Sequence, residues 1–158
     1  MKRVLVLLVT IICVYLANAE PVTLQTAEQV ARQQLQRIGA DGYTLNVSRE
    51  LISGDRTLAY IIKLLPHGYI VVPGDDNLNP VIAYSLQSEY AQASDNPLED
   101  MLITDLSQRL QNIPLMSNTQ LRDIRDSWSS LSSGQFRDPL QQWPPAGSTP
   151  TGGWVKTE

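Results

Sequence analysis

The hydrophobic rhythm of the chain changes several times, and each rhythm predicts an element. Residues 4–16 are almost wholly apolar, broken only by Thr10, with Lys2 and Arg3 before them and Ala17-Asn18-Ala19 after. A positive start, a short apolar run and a small-residue cleavage site make a secretory signal peptide, and the run is too short for a comfortable membrane span. Residues 1–19 are therefore expected to be removed, so that the mature chain starts at Glu20. Next, Ala27, Val30, Ala31, Leu35 and Ile38 recur at helical spacing and predict a helix over 26–39. Thr26 and Gln29 have the spacing of a capping box, Gly39 can supply the left-handed stop, and Gln and Arg fill the opposite face.

From Tyr43 the period becomes that of strands. Tyr43, Leu45 and Val47 alternate with Thr44, Asn46 and Ser48, as in a half-buried strand. Ser53-Gly54-Asp55 reads as a turn, residues 57–65 as a β-branched and aromatic strand, and Pro66-His67-Gly68 as a second turn. Tyr69-Ile70-Val71-Val72 is a strand apolar on both faces, with Pro73 at its end, where a missing N–H costs little. Gly74-Asp75-Asp76-Asn77 is a third turn and Val81-Ile82-Ala83-Tyr84 a fourth strand. Such short connections favour an antiparallel meander. Asn96 then caps a helix with Pro97 in its first turn and Glu99 and Asp100 complementing the helix dipole. Its stripe runs through Leu98, Met101, Leu102, Leu106, Leu110 and Ile113, interrupted by Asp105 and Arg109, and Pro114 ends it. Residues 117–131 predict a third helix along Leu121, Ile124, Trp128 and Leu131. The class is α+β: about four antiparallel strands with an N-terminal helix and one or two C-terminal helices.

Composition adds limits. Residues 132–158 are rich in Pro, Gly, Ser and Thr and read as a linker with no core of its own. The division is thus a leader over 1–19, one domain over 20–131, and a linker over 132–158. The sole cysteine, Cys13, falls in the leader, so the mature chain has neither a disulfide nor a thiol nucleophile. Net charge is −4 and becomes more negative once Lys2 and Arg3 are lost. Such a chain repels phosphates and anionic lipid, which argues against nucleic acid as a partner and against a membrane after leader cleavage.

Candidate chemistry is sparse. His67, the only histidine, sits in a turn and reads as a solvent-exposed residue. Gly74-Asp75-Asp76-Asn77 lacks the alternating ligands and terminal Glu of a calcium loop, so it reads as a turn. Asn46-Val47-Ser48 matches a glycosylation acceptor inside a strand. Trp128, Trp143 and Trp154 are too dispersed for a stacking platform and suit core or linker anchoring. No metal-ligand spacing and no phosphate-cradling glycine loop is present. The expectation is a protein that is not an enzyme and needs no cofactor.

One region says more. Leu58-Ala59-Tyr60-Ile61-Ile62-Lys63, then Gly68-Tyr69-Ile70-Val71-Val72-Pro73-Gly74-Asp75-Asp76, then Pro80-Val81-Ile82-Ala83-Tyr84-Ser85, resembles the propeptide of streptopain-like cysteine proteases, also known as the Spi-type protease inhibitor domain. The likeness covers about residues 23–113. Pro73 stands where the family usually has Ser, and Ala83 where it usually has Gly. Gly152-Gly153-Trp154 is similar to the approach to a protease domain, whose catalytic Cys and His are not in this sequence. The resemblance implies a zymogen-type binding protein that blocks the cleft of a streptopain-like cysteine protease, in cis or in trans, and the leader pattern predicts that it acts outside the cell or in a periplasm. Within it, Tyr69, Gly74, Asp75, Asp76 and Asn77 are the expected protease contacts, because a turn can reach into a cleft. Two other readings share the sequence: the N-terminal part of a truncated protease precursor, and an unrelated secreted recognition module. A hydrolase using Ser or carboxylates has no motif behind it.

Overall fold

The computed structural model describes residues 21–91 and 96–134. The expected leader with Cys13, and residues 135–158 with Trp143 and Trp154, lie outside the described residues. The first helix, α1, is Leu24–Arg37. Its cap is Thr23 and not Thr26: the Thr23 hydroxyl accepts from Thr26 N at 3.2 Å. The helix can start earlier because Leu24 and Gln25 are as compatible with a first turn as the residues after them. At the other end Gly39 takes a φ of 68°, while Gly39 N donates to Gln36 O at 3.1 Å and Ala40 N to Leu35 O at 2.9 Å. These two bonds satisfy the last carbonyls of the helix.

Four strands follow: β1 Thr44–Ser53, β2 Arg56–Leu65, β3 Tyr69–Pro73 and β4 Ala83–Ser85. They form one antiparallel sheet in the order β1-β2-β3-β4. Ser53 pairs with Arg56, so Gly54 and Asp55 make the tight turn, with Gly54 at a φ of 60°. The simple alternation expected of β1 fails beyond Leu45. Leu45 pairs with Leu64 but Ser48 pairs with Ile62, so β1 carries one extra residue there. That bulge resets the faces and leaves Val47 exposed. A second irregularity lies between Leu51 and Ile52, where β2 carries the extra residue.

Two further helices complete the chain. The helix α2, Pro97–Asn112, is capped by Asn96 Oδ1, which accepts from Leu98 N at 3.1 Å. It passes through a short 3-10 turn, Ile113–Leu115, to α3, Asn118–Ser132. Ser117 and Gln120 form a reciprocal capping box at the start of α3. On α2 only Leu102, Leu106 and Leu110 are buried, and Met101 of the expected stripe faces solvent.

The sheet is covered on both faces. On one, α1 and α3 pack Ala27, Val30, Leu35, Ile124, Trp128 and Leu131 against Tyr60, Ile62, Ile70 and Val72. On the other, α2 packs Leu102, Leu106 and Leu110 against Leu51, Leu58, Ile61, Tyr69 and Val71. This explains the unbroken apolar run of β3, all five residues of which are buried. Among the described residues no helix is long and apolar enough to cross a membrane.

Candidate functional site

The expected contact residues lie on β3 and on the loop that leaves it. Tyr69 is buried, its ring edge-on to Tyr90 with centroids 5.5 Å apart. At Gly74 a Cβ would stand 2.3 Å from the Thr57 carbonyl oxygen, so the close approach of two backbones admits only glycine. Asp75 is 8% exposed and organises the turn. Its Oδ1 accepts from both Asn77 N and Asn77 Nδ2 at 3.0 Å, and its Oδ2 accepts from Arg56 at 2.5 Å. Asp76 and Asn77 are half-buried and are the more accessible members of the set.

The loop is pinned along its length. Val22 N donates to Gly74 O at 3.1 Å, and Pro21 bridges Asp75. Leu78 N donates to Asp75 O at 3.2 Å. The Trp128 indole N–H, from α3, donates to Leu78 O at 2.7 Å. Ile82 N donates to Val71 O at 2.9 Å and returns the chain to the sheet. The Gly-Asp-Asp-Asn turn is therefore the first part of a longer, braced connection between β3 and β4, where the sequence suggests a simple hairpin. The fourth strand consequently starts at Ala83, two residues later than expected.

A second polar group ties β1 to the first turn of α2. Glu99 Oε2 accepts from Arg49 and, at 3.1 Å, from the Tyr90 hydroxyl. The Arg49 guanidinium also lies over the Tyr90 ring, 5.5 Å from its centroid. Burial, and then the hydrogen bond to Glu99, push the Tyr90 hydroxyl up to about 12. The same Glu99 hydrogen bond raises Arg49 above its ordinary value. Tyr60, whose hydroxyl donates to Val22 O at 2.8 Å, is raised mainly by burial and then by Glu50.

His67 is half-buried and not the solvent-facing turn residue expected. Its ring meets Tyr43 edge-on at 5.7 Å, and its Nε2 lies 3.3 Å from the Tyr43 hydroxyl. The Tyr43 hydroxyl donates its only proton to Leu86 O at 2.9 Å, so His67 Nε2 is the donor between the two rings. The residues of the acceptor-type triplet Asn46-Val47-Ser48 lie on β1, Asn46 exposed. Among the described residues no group of three or more His, Cys, Asp or Glu could hold a metal ion. Sequence reasoning missed Arg56, Trp128 and the Arg49–Glu99–Tyr90 group as partners, since no spacing along the chain links them.

A braced loop on a sheet covered on both faces defines a domain that can present a fixed surface to another protein. The chain belongs to the Spi protease inhibitor family, whose model matches residues 19–110. The match runs through α1, all four strands and most of α2. Comparison with curated proteins finds no match, and comparison with solved structures finds none either. The family is one of protease inhibitors or propeptides, and it implies a protease as partner.

Proposed function

We propose that this chain is a secreted inhibitor or prodomain that binds a streptopain-like cysteine protease and blocks its cleft. The family match over residues 19–110 carries the reading, and the leader pattern of residues 1–19 supports secretion. The β3–β4 loop is the contacting element. Asp76 and Asn77 reach toward the protease, while Gly74 and Asp75 hold the loop in shape and Tyr69, at the other end of β3, packs against Tyr90. A loop already fixed by Arg56 and Trp128 loses little conformational freedom on binding, which favours affinity.

The test is titration of residues 20–158 into an active streptopain-like protease, with substrate cleavage as readout. The expected result is saturable, stoichiometric loss of activity with the added chain intact. The double variant Asp76→Ala, Asn77→Ala should weaken inhibition by at least about fivefold, the ~1 kcal/mol that separates an energetic contact from a neutral one. Rapid digestion of the chain with no loss of activity would sink the proposal.

A further inference from the structure

Two residues at the entry to α1 join three parts of the fold. Val22 stands immediately before Thr23, the cap of α1, and is buried. It shares a core cluster with Ala27, so the two bracket the cap in the manner of a hydrophobic staple. Both of its backbone polar groups reach across the molecule. Its N–H donates to Gly74 O at 3.1 Å, and its C=O accepts from the Tyr60 hydroxyl on β2 at 2.8 Å. Pro21, the residue before it, bridges Asp75.

These contacts fall where the β3–β4 loop begins. Gly74 N donates to Leu58 O at 2.9 Å, so β2 holds Gly74 by its N–H and Val22 holds it by its C=O. Asp75 comes next, and its side chain orders Asn77 and pairs with Arg56. The far part of the loop is held separately, by Trp128 at Leu78. Val22 has no slack with which to follow a shifted loop, since its neighbour caps α1 and its side chain lies in the core. Tyr60 is equally fixed, buried on an inner strand. A rigid donor thus meets the first carbonyl of the loop, and little ordering is left to be done when a partner binds. Pro21 is exposed, and a space of about 470 Å³ opens beside it toward Asp55 and Arg56. The clasp therefore lies at the surface, next to the loop it holds.

We infer that Pro21 and Val22 form a strap, locked by Tyr60, that positions the β3–β4 loop for the protease. The inference rests on the reading of that loop as the contacting element. Val22 and Tyr60 are positioning residues, buried and acting through Gly74 and Asp75. Inhibition then depends on a segment that is distant from the loop in sequence. Losing the Val22 N–H removes one hydrogen bond and loosens the start of the loop, while the ladders of the sheet stay in place.

The experiment compares residues 20–158 with two variants, each read by amide hydrogen exchange and by titration into the protease. Val22→Pro removes the N–H that meets Gly74 O. Tyr60→Phe removes the hydroxyl that holds Val22 and keeps the ring. In both, the Asn77 and Leu78 amides should exchange about fivefold faster and inhibition should weaken about fivefold, the effect of one lost hydrogen bond. Leu110→Ala, in the α2 core, lowers stability without touching the strap and should leave loop exchange and inhibition as they were. On the Asp76→Ala, Asn77→Ala background, Val22→Pro should add less than about twofold further loss, because the contacts it positions are gone. Unchanged loop exchange in both variants would overturn the inference. So would faster exchange with undiminished inhibition, equal effects from Leu110→Ala, or full additivity on the double-variant background. A parent chain that inhibits nothing would sink the contact reading itself, and the exchange rates alone would then decide whether the strap holds the loop.

Discussion

Tyr90 is 1% exposed, so its ring must stay dry while its hydroxyl still needs a partner. Glu99 supplies the partner and Arg49 covers the ring. The consequence is a pH dependence with a definite sign. The hydroxyl titrates near 12 in the folded chain and near 10 when unfolded, so the folded state keeps its proton longer. The stabilisation from this group is complete below pH 10, fades between pH 10 and 12, and is gone above. It amounts to something on the order of 2 kcal/mol. Urea unfolding midpoints measured from pH 9 to 12 should therefore fall more steeply for the native chain than for Tyr90→Phe. Parallel curves would show that Tyr90 is not the source. At this scale the sequence is readable where the chemistry is local. Gly-Asp-Asp-Asn reads as a turn because Asp75 bonds to Asn77, two residues away. It is unreadable where partners are distant, as with Arg56 and Asp75 or Arg49 and Glu99.

Among elements, the joint between α3 and the β3–β4 loop carries most of the consequence. The Trp128 indole reaches a backbone carbonyl that no neighbour in its own loop satisfies in its place. Trp128→Phe keeps a ring in the cluster but leaves Leu78 O buried without its donor. The expected cost is about 1–3 kcal/mol in urea or thermal unfolding. A loss below a few tenths would mean that water replaces the indole. Helices and strands themselves were legible because their apolar positions follow a period. The departures have local physical causes. A bulge carries no obligatory Gly or Pro in β1, so the extra residue that exposes Val47 leaves no mark in the pattern. Met101 sits at helical spacing but on a rim that α2 does not press to the sheet. His67 looked like surface because nothing near it in sequence announces Tyr43.

For the whole molecule, the central fact is that β2 and β3 serve two cores at once. Ile62 and Ile70 face α1 and α3, while Ile61 and Val71 face α2. Neither core can be lost without stripping one side of the same strands. Amide hydrogen exchange should therefore find residues 61, 62, 70 and 71 in one slow class, with an opening free energy equal to the global unfolding value from urea. Two separate slow classes would show that the cores open independently. The α+β class was legible in the sequence, but the two-helix, one-helix division of the faces was not: helical stripes show that a helix has a buried side, but not which face of the sheet it covers.

The irregular pairing of β1 has a further effect. An outer strand offers unsatisfied N–H and C=O groups to any extended chain that passes, and a long flat one invites self-association. Here the β1–β2 pairing is interrupted by two register shifts, one with its extra residue on β1, and the opposite margin, β4, is only three residues long. Both margins of the sheet are thus poor templates for edge-to-edge pairing.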